Sequence, residues 1–141
     1  MAPEKLVELR IPAKAERLGM VRDVVKRSAE SAGCDASLSD KLVIAVNEAC
    51  MNVIQHAYKG SKTGDIVMEV THGNGWLSFR LVDFADPIDL DKVKSRDLDE
   101  IKPGGLGVHF IREIMDDIQM GHLEQGLGNF IEMAKKLTDT S

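Results

Sequence analysis

Asp65-Ile-Val-Met-Glu-Val-Thr-His-Gly-Asn-Gly-Trp-Leu-Ser-Phe-Arg-Leu-Val-Asp83 is the stretch that decides the fold. Asp65 to His72 and Trp76 to Asp83 read as two strands, and Gly73-Asn74-Gly75 between them is a tight-turn sequence. Strands joined by so short a turn pair antiparallel. A sheet built around this hairpin therefore does not follow the strand-helix-strand alternation of a dinucleotide-binding fold.

Working back from the hairpin, Gly60 to Gly64 is a loop, preceded by a long helix whose apolar residues run from Leu42 through Ala57 without Gly or Pro. Ser37 or Ser39 can cap its start. An earlier helix spans Ala15 to Ala32, with Leu18, Val21, Val25 and Ala29 at helical spacing and Gly33 as the stop. Lys5 to Pro12 alternates Val7, Leu9 and Ile11 with Glu8 and Arg10, the period of a half-buried strand. Working forward, Phe84 to Gly107 has little periodicity and is either disordered or a functional lid. Val108 to Asp117 resumes helical spacing. Ile118 to Glu124 and Asn129 to Lys136 then form two strands across the Gln125 to Gly128 turn, and Thr138 to Ser141 is a loose tail. The expected fold is α+β, a two-layer sandwich whose mainly antiparallel mixed sheet is covered on one face by helices.

The 141 residues, 43% hydrophobic, suit one domain over residues 1–141 with a real core. A net charge of -5 supplies no overall basic field for a nucleic-acid backbone, so direct nucleic-acid binding is not expected. Met-Ala-Pro-Glu-Lys runs straight into a charged alternating segment rather than an apolar stretch, which points to a cytoplasmic protein that does not bind membrane. Cys34 and Cys50 form no CxxC and no cluster with His, and read as core or near-core thiols.

On the long helix, Leu42, Val43, Val46, Cys50, Val53 and Ala57 share one apolar sector. Glu48, Asn52 and His56 stack at i, i+4 and i+8 on a separate face, within about 80° of arc. Such a trio is most often a plain solvated face. Against that reading, the surroundings are rich in Ala, Val and Ile, and Asn is a poor choice inside a helix without a reason. A carboxylate four residues from a carboxamide can orient a nucleophile while the amide oxygen contributes one ligand to a magnesium ion that keeps most of its waters. Gly104-Gly105-Leu106-Gly107 stands before a helix and can offer free backbone amides to a phosphate, or can be a flexible linker. No GxxxxGK[ST] is present, nor GxGxxG after a strand. Asp83, at a strand end, is either a turn residue or the acceptor of an exocyclic amine at a pocket floor, which would select adenine.

In this order the three pieces resemble the nucleotide site of the gyrase, chaperone and histidine-kinase ATPase superfamily, the Bergerat fold. Glu48-Ala-Cys-Met-Asn52-Val-Ile-Gln-His56 is similar to its N box, Asp83-Phe-Ala-Asp-Pro87 to its first glycine box, and Gly104-Gly-Leu-Gly107 to its second. The likeness runs from about Leu6 to Leu137. Asn47 through Tyr58 and Lys102 through His109, followed by Ile114-Met-Asp116, are most similar to the bacterial anti-sigma-factor serine/threonine kinases. The resemblance implies that Glu48 is the general base, that Asn52 binds magnesium, that His56 lines the phosphate side and that Asp83 receives the adenine amine. It also implies that Ala85, Pro87, Gly104, Gly105, Leu106, Gly107 and Val108 line the ATP site, with a lid over about 84–107. Ala85 and Pro87 stand where the family's first box usually has glycines. The cofactors implied are ATP and Mg2+. The partners implied are a sigma factor, an anti-anti-sigma antagonist and a second copy of the chain in a homodimer. Histidine-kinase and gyrase-type members carry a preceding dimerising helix or a following transducer domain, so the chain's size is expected to favour the anti-sigma class. The alternative is a nucleotide-gated protein-binding module without kinase activity. Arg17, Arg22, Lys26 and Arg27 on the first helix are either a contact for an acidic partner or a solvated basic face.

Overall fold

The computed structural model describes residues 3–58, 64–85, 106–123 and 128–137, without the side chains of 57 and 106–109. Strand β1 (Glu4–Pro12) leads through a 3-10 turn at Ala15–Arg17 into helix α1 (Leu18–Ser31) and then α2 (Ala36–Asn52). Strands β2 (Asp65–Gly73) and β3 (Trp76–Asp83) follow, then helix α3 (Leu106–Ile114) and strands β4 (Asp117–His122) and β5 (Asn129–Lys136). The strands form one sheet in the order β1-β2-β3-β5-β4. Every pair is antiparallel, so among the described residues the sheet is antiparallel throughout rather than mixed.

The hairpin forms where its sequence places it. Gly73 pairs with Trp76 across a two-residue turn, and Asn74 and Gly75 have φ of 55° and 82°. Both central residues in the left-handed region define the I′ turn, whose twist matches that of the strands. Gly33 ends α1 with φ of 93°, a conformation that favours glycine after a helix.

Burial alternates along β2 and β3. Ile66, Met68, Val70, Leu77, Phe79 and Leu81 face the helices and are essentially sealed from solvent. Against them pack Val21, Val25 and Ala29 of α1, Leu42, Val46 and Cys50 of α2, and Ile111 of α3. Each large apolar side chain removed from water here contributes about 1.5–3 kcal/mol. The central helix α2 packs against both α1 and α3. On the opposite face no second helical layer is described, and stacked side chains do part of that work. The Arg80 guanidinium lies 4.5 Å from the centre of the Phe130 ring, which itself rests on the bare backbone of Gly121. Cys50 is a core thiol that burial pushes up to about 12, and Cys34 is half-buried and also raised, first by burial and then by Asp35.

Three expectations are corrected. The cap of α2 is Asp35, whose Oδ1 accepts the Leu38 N–H at 2.8 Å, and not Ser37 or Ser39. The Asp immediately precedes the first helical turn, where its short carboxylate reaches forward to an otherwise unpaired amide. The buried stripe of α2 includes Ala45 and Ala49, whereas Val43 and Val53 are only half-buried. The last helix ends at Ile114, before Asp117, because Asp116 leaves the helix to accept the Lys136 backbone N–H at 2.8 Å and so starts the strand pairing early.

Ser39 is 1% exposed and its hydroxyl has no hydrogen-bond partner among the described residues. A buried unpaired hydroxyl opposes folding, and Ala is the better helix former. Ser39→Ala is expected to stabilise the protein by about 1 kcal/mol. A urea midpoint that falls in the variant would contradict this.

Candidate active site

Glu48 and Asn52 lie on α2, separated by about 40° of arc. Asn47 turns toward α1, where Arg22 Nη1 donates to its Oδ1 at 2.9 Å, and Ala45, Val46 and Ala49 turn inward. Glu48 and Asn52 therefore fall on the side of α2 away from α1, half-buried and outside the core cluster. Arg22, grouped with the basic face in the sequence, is engaged in tying the two helices together. Arg17, Lys26 and Arg27 are exposed.

His56 is positioned differently from its α-helical expectation. The α-helix stops at Asn52, and Val53–Ala57 form one π-helical turn that closes with the Tyr58 N–H donating to the Val53 carbonyl at 3.0 Å. The wider turn moves the half-buried His56 off the i+8 line. Single π turns of this kind recur at functional sites, because they re-aim a side chain without ending the helix. No Gly or Pro announces the change, so a purely α-helical wheel misses it.

Asp83 ends β3 and is 3% exposed. Its Oδ1 accepts from Asn129 Nδ2 at 2.9 Å and from the Ala85 N–H at 3.0 Å. The Asn129 backbone N–H also donates to the carboxylate. Burial holds the carboxyl above its ordinary value, and the three donors pull it part of the way back. An ionised carboxylate has about four lone-pair sites, so with the donors among the described residues about one remains for a further donor. The Ala85 bond closes a turn over Asp83, so the structural role foreseen for an Asp at a strand end is present alongside the spare acceptor capacity. Ala85 is half-buried, and among the described residues Asn74 alone of the non-glycines has positive φ. A methyl at 85 thus introduces no backbone strain, and the hydrogen bond it makes comes from its amide, which any residue but proline would supply.

Two residues of this cluster went unassigned in the sequence. Asn129, 2% exposed, opens β5 directly opposite Asp83. An Asn buried in a strand is out of keeping with β preference, and that was the available signal. Gly128 has φ of 109°, and a Cβ there would lie 2.6 Å from the Asp83 carbonyl oxygen and 2.6 Å from Leu123 Cδ1. Gly128→Ala is expected to destabilise the fold by about 2 kcal/mol or more, since both the left-handed backbone and the close approach oppose a side chain. An unchanged urea midpoint would overturn that expectation.

Pro87, Gly104 and Gly105 lie outside the described residues, as does most of the expected lid. Leu106, Gly107 and Val108 form the first turn of α3, so the helix starts two residues before the expected Val108 and takes in Leu106 and Gly107 of the glycine-rich segment. Among the described residues no three His, Cys, Asp or Glu side chains gather as a metal cage, and no helix is long and apolar enough to cross a membrane. A single amide oxygen from Asn52 suits magnesium, which is commonly held by one or two protein oxygens together with phosphates and water.

Residues 11–135 match the family described as Histidine kinase-like ATPase domain. The chain is similar to serine-protein kinase RsbW of Bacillus licheniformis, 32% identical over 122 residues that cover 81% of this chain and 76% of the relative. With the RsbW of Bacillus subtilis (strain 168) the identity is 31% over 123 residues, at the same coverage of each. Among solved structures, the SiaB-SiaC complex from Pseudomonas aeruginosa includes a chain that matches with a TM-score of 0.62 at 10% identity, covering 93% of this chain and 89% of that one. The histidine kinase domain of the Erythrobacter litoralis EL346 blue-light activated histidine kinase matches with a TM-score of 0.58 at 16% identity, over 91% of this chain and 62% of that one. At such identities the two structures show a shared fold.

Proposed function

The chain belongs to the histidine kinase-like ATPase domain family, in the branch of the RsbW serine-protein kinases, and from that premise we propose that it is a protein kinase that binds ATP with Mg2+ and phosphorylates a Ser or Thr of an anti-anti-sigma antagonist. The observation that carries the reading is the division of chemistry between two places. One is a half-buried carboxylate and carboxamide on α2. The other is a buried carboxylate at the end of β3 that the donors among the described residues leave with about one acceptor site.

In this reading Asp83 accepts the adenine amine, with Asn129 and the Ala85 amide orienting it. Glu48 accepts the proton of the attacking hydroxyl as the new O–P bond forms and the bond between the γ-phosphorus and the bridging oxygen breaks, releasing ADP. Asn52 would hold Mg2+ through its amide oxygen; when bound, the ion neutralises charge on the phosphates. His56 lines the phosphate side. Gly104, Gly105, Leu106, Gly107 and Val108 bring backbone amides to the phosphates, with Pro87 in the lid. The protein's own contribution is positioning and charge neutralisation, with no covalent enzyme intermediate.

As a cytoplasmic regulator of transcription the protein would act as a homodimer that holds a sigma factor and releases it to the competing antagonist. Incubation with γ-labelled ATP and a candidate antagonist is expected to give phosphoserine or phosphothreonine on the antagonist. ATP binding with no transfer would replace this reading with a nucleotide-gated binding module. Failure of ATP and ADP alike to raise the melting temperature would remove the nucleotide from the account, because a ligand bound only by the native state must stabilise it.

A further inference from the structure

The antiparallel ladder between β2 and β3 has a defined rhythm. In a two-residue hairpin the residues flanking the turn, here Gly73 and Trp76, exchange both backbone hydrogen bonds, and such pairs recur at every second position. Counting back from the turn gives Thr71 with Ser78, Glu69 with Arg80 and Val67 with Val82. The next in the series is Asp65 with Phe84, one residue beyond Asp83. At that pair the direct bond is replaced. The Tyr58 hydroxyl donates to the Asp65 carbonyl at 2.7 Å and accepts the Phe84 N–H at 2.8 Å. One side-chain oxygen is inserted between two backbone groups that would otherwise meet each other.

Tyr58 is the single tyrosine of the chain and is 8% exposed. Its backbone N–H closes the π turn at the end of α2. Its ring lies against Gly64, where a Cβ would come within 2.4 Å of a ring carbon. Gly64 holds φ of 149° and its carbonyl accepts the Ala13 N–H at 2.9 Å, so the ring is seated in a gap that only a glycine leaves open. The residue therefore joins three places: the end of the helix that carries Glu48 and Asn52, the start of β2, and the backbone link between Asp83 and Ala85. Ala85 is the residue whose amide holds Asp83 Oδ1. By spacing the strands at Phe84, the hydroxyl directs the chain out of the sheet at the position where the carboxylate must be presented.

We infer that Tyr58 is a positioning residue for base recognition, its hydroxyl wedging Asp65 from Phe84 so that the turn from Asp83 to Ala85 is held in register with Glu48 and Asn52 on α2. The inference rests on the ATP reading above and deepens it. Loss of the hydroxyl leaves the Phe84 N–H and the Asp65 carbonyl to bond directly or to take water, and either rearrangement shifts the Ala85 amide relative to Asp83. Glu48 and Asn52, on the regular part of α2, keep their own geometry. The expected signature is a loss of base discrimination with the phosphoryl-transfer step little changed.

The test compares wild type with Tyr58→Phe, which keeps the ring against Gly64. Dissociation constants for ADP and GDP are measured by calorimetry, well below each protein's melting temperature, and KM and kcat for ATP are measured with the antagonist. The ADP-over-GDP preference is expected to fall about tenfold, with KM raised and kcat within about threefold of wild type. A variant that is merely less stable would weaken both nucleotides equally, and an unchanged ADP-to-GDP ratio overturns the inference while leaving the ATP reading in place. If wild type binds neither nucleotide, the ATP reading fails and the inference falls with it. Should Tyr58→Phe fold too poorly for calorimetry, the same ratio is read from the shifts in melting temperature that ADP and GDP produce. Equal loss of the two shifts overturns the inference, and preferential loss of the ADP shift supports it.

Discussion

Replacing Asp83 by Asn is expected to weaken ATP and ADP binding at least about a hundredfold while leaving the protein folded. The reason lies in how the carboxylate is held. Asn129 Nδ2 and the Ala85 N–H both point at Oδ1, so the carboxamide of the variant must place its oxygen there. Its NH2 then takes the place of Oδ2 and presents a donor where the adenine amine brings another donor. A polar group forced to meet its like in a buried site forfeits about 3 kcal/mol or more, which is where the factor of a hundred comes from.

Stability should move little, because two effects of the same substitution oppose each other. Removal of a desolvated charge favours the fold, while turning one acceptor into a donor disfavours it, and the net is expected within about 1 kcal/mol. The pH dependence has a definite sign. Burial raises the Asp83 carboxyl above its ordinary value, so folding favours the protonated acid. That favourable contribution is full below the ordinary aspartate value and is lost as pH rises through the higher folded value. The wild type should therefore gain on Asp83→Asn as the solution is acidified through this window. Calorimetry with ADP checks the first expectation and urea melts at several pH values check the second. An unaltered ADP affinity in the variant would remove Asp83 from base recognition.

The second large effect is expected at Glu48. Glu48→Gln keeps the size of the side chain and its place on the half-buried side of α2, but removes the atom that can take a proton. A positioned general base contributes about 10²–10⁴-fold, so labelled phosphate on the antagonist should fall below detection in a short assay. ATP affinity should stay within about threefold, because Glu48 is assigned no contact with the base. Equal initial rates of labelling in the two proteins would sink the proposed mechanism. Parallel loss of ATP binding and of transfer would reassign Glu48 from the proton to the nucleotide. Glu48→Gln is thus expected to bind and not transfer, whereas Asp83→Asn is expected not to bind.

The hairpin, helix α1 and the placement of Glu48, Asn52 and Asp83 were legible in the primary structure, because each depends on residues close together along the chain. Alternating burial in β2 and β3 follows from period-two patterning. The turn follows from Asn74-Gly75, which tolerates two successive left-handed residues. What failed did so where chemically similar local choices compete. Asp35, Ser37 and Ser39 are all competent caps, and the choice fell to Asp35 because Ser39 was drawn inward with the helix face that packs on the sheet. Likewise nothing local distinguishes an α turn from a π turn at Val53–Ala57, and the extra residue is tied to seating Tyr58 against the strands.

The chain by itself determined the class of fold, the family and the short list of chemically capable side chains, since periodicity, turn residues and spaced motifs are properties of neighbours in sequence. The tertiary structure alone decided how Asp83 is held. Asn129 lies 46 positions away, Tyr58 reaches the same turn across 26 positions to Phe84, and Gly128 makes room against the Asp83 carbonyl. Hydrogen bonds between residues so far apart depend on strand register and helix packing. Those are settled by burial of the whole core, which no local pattern encodes.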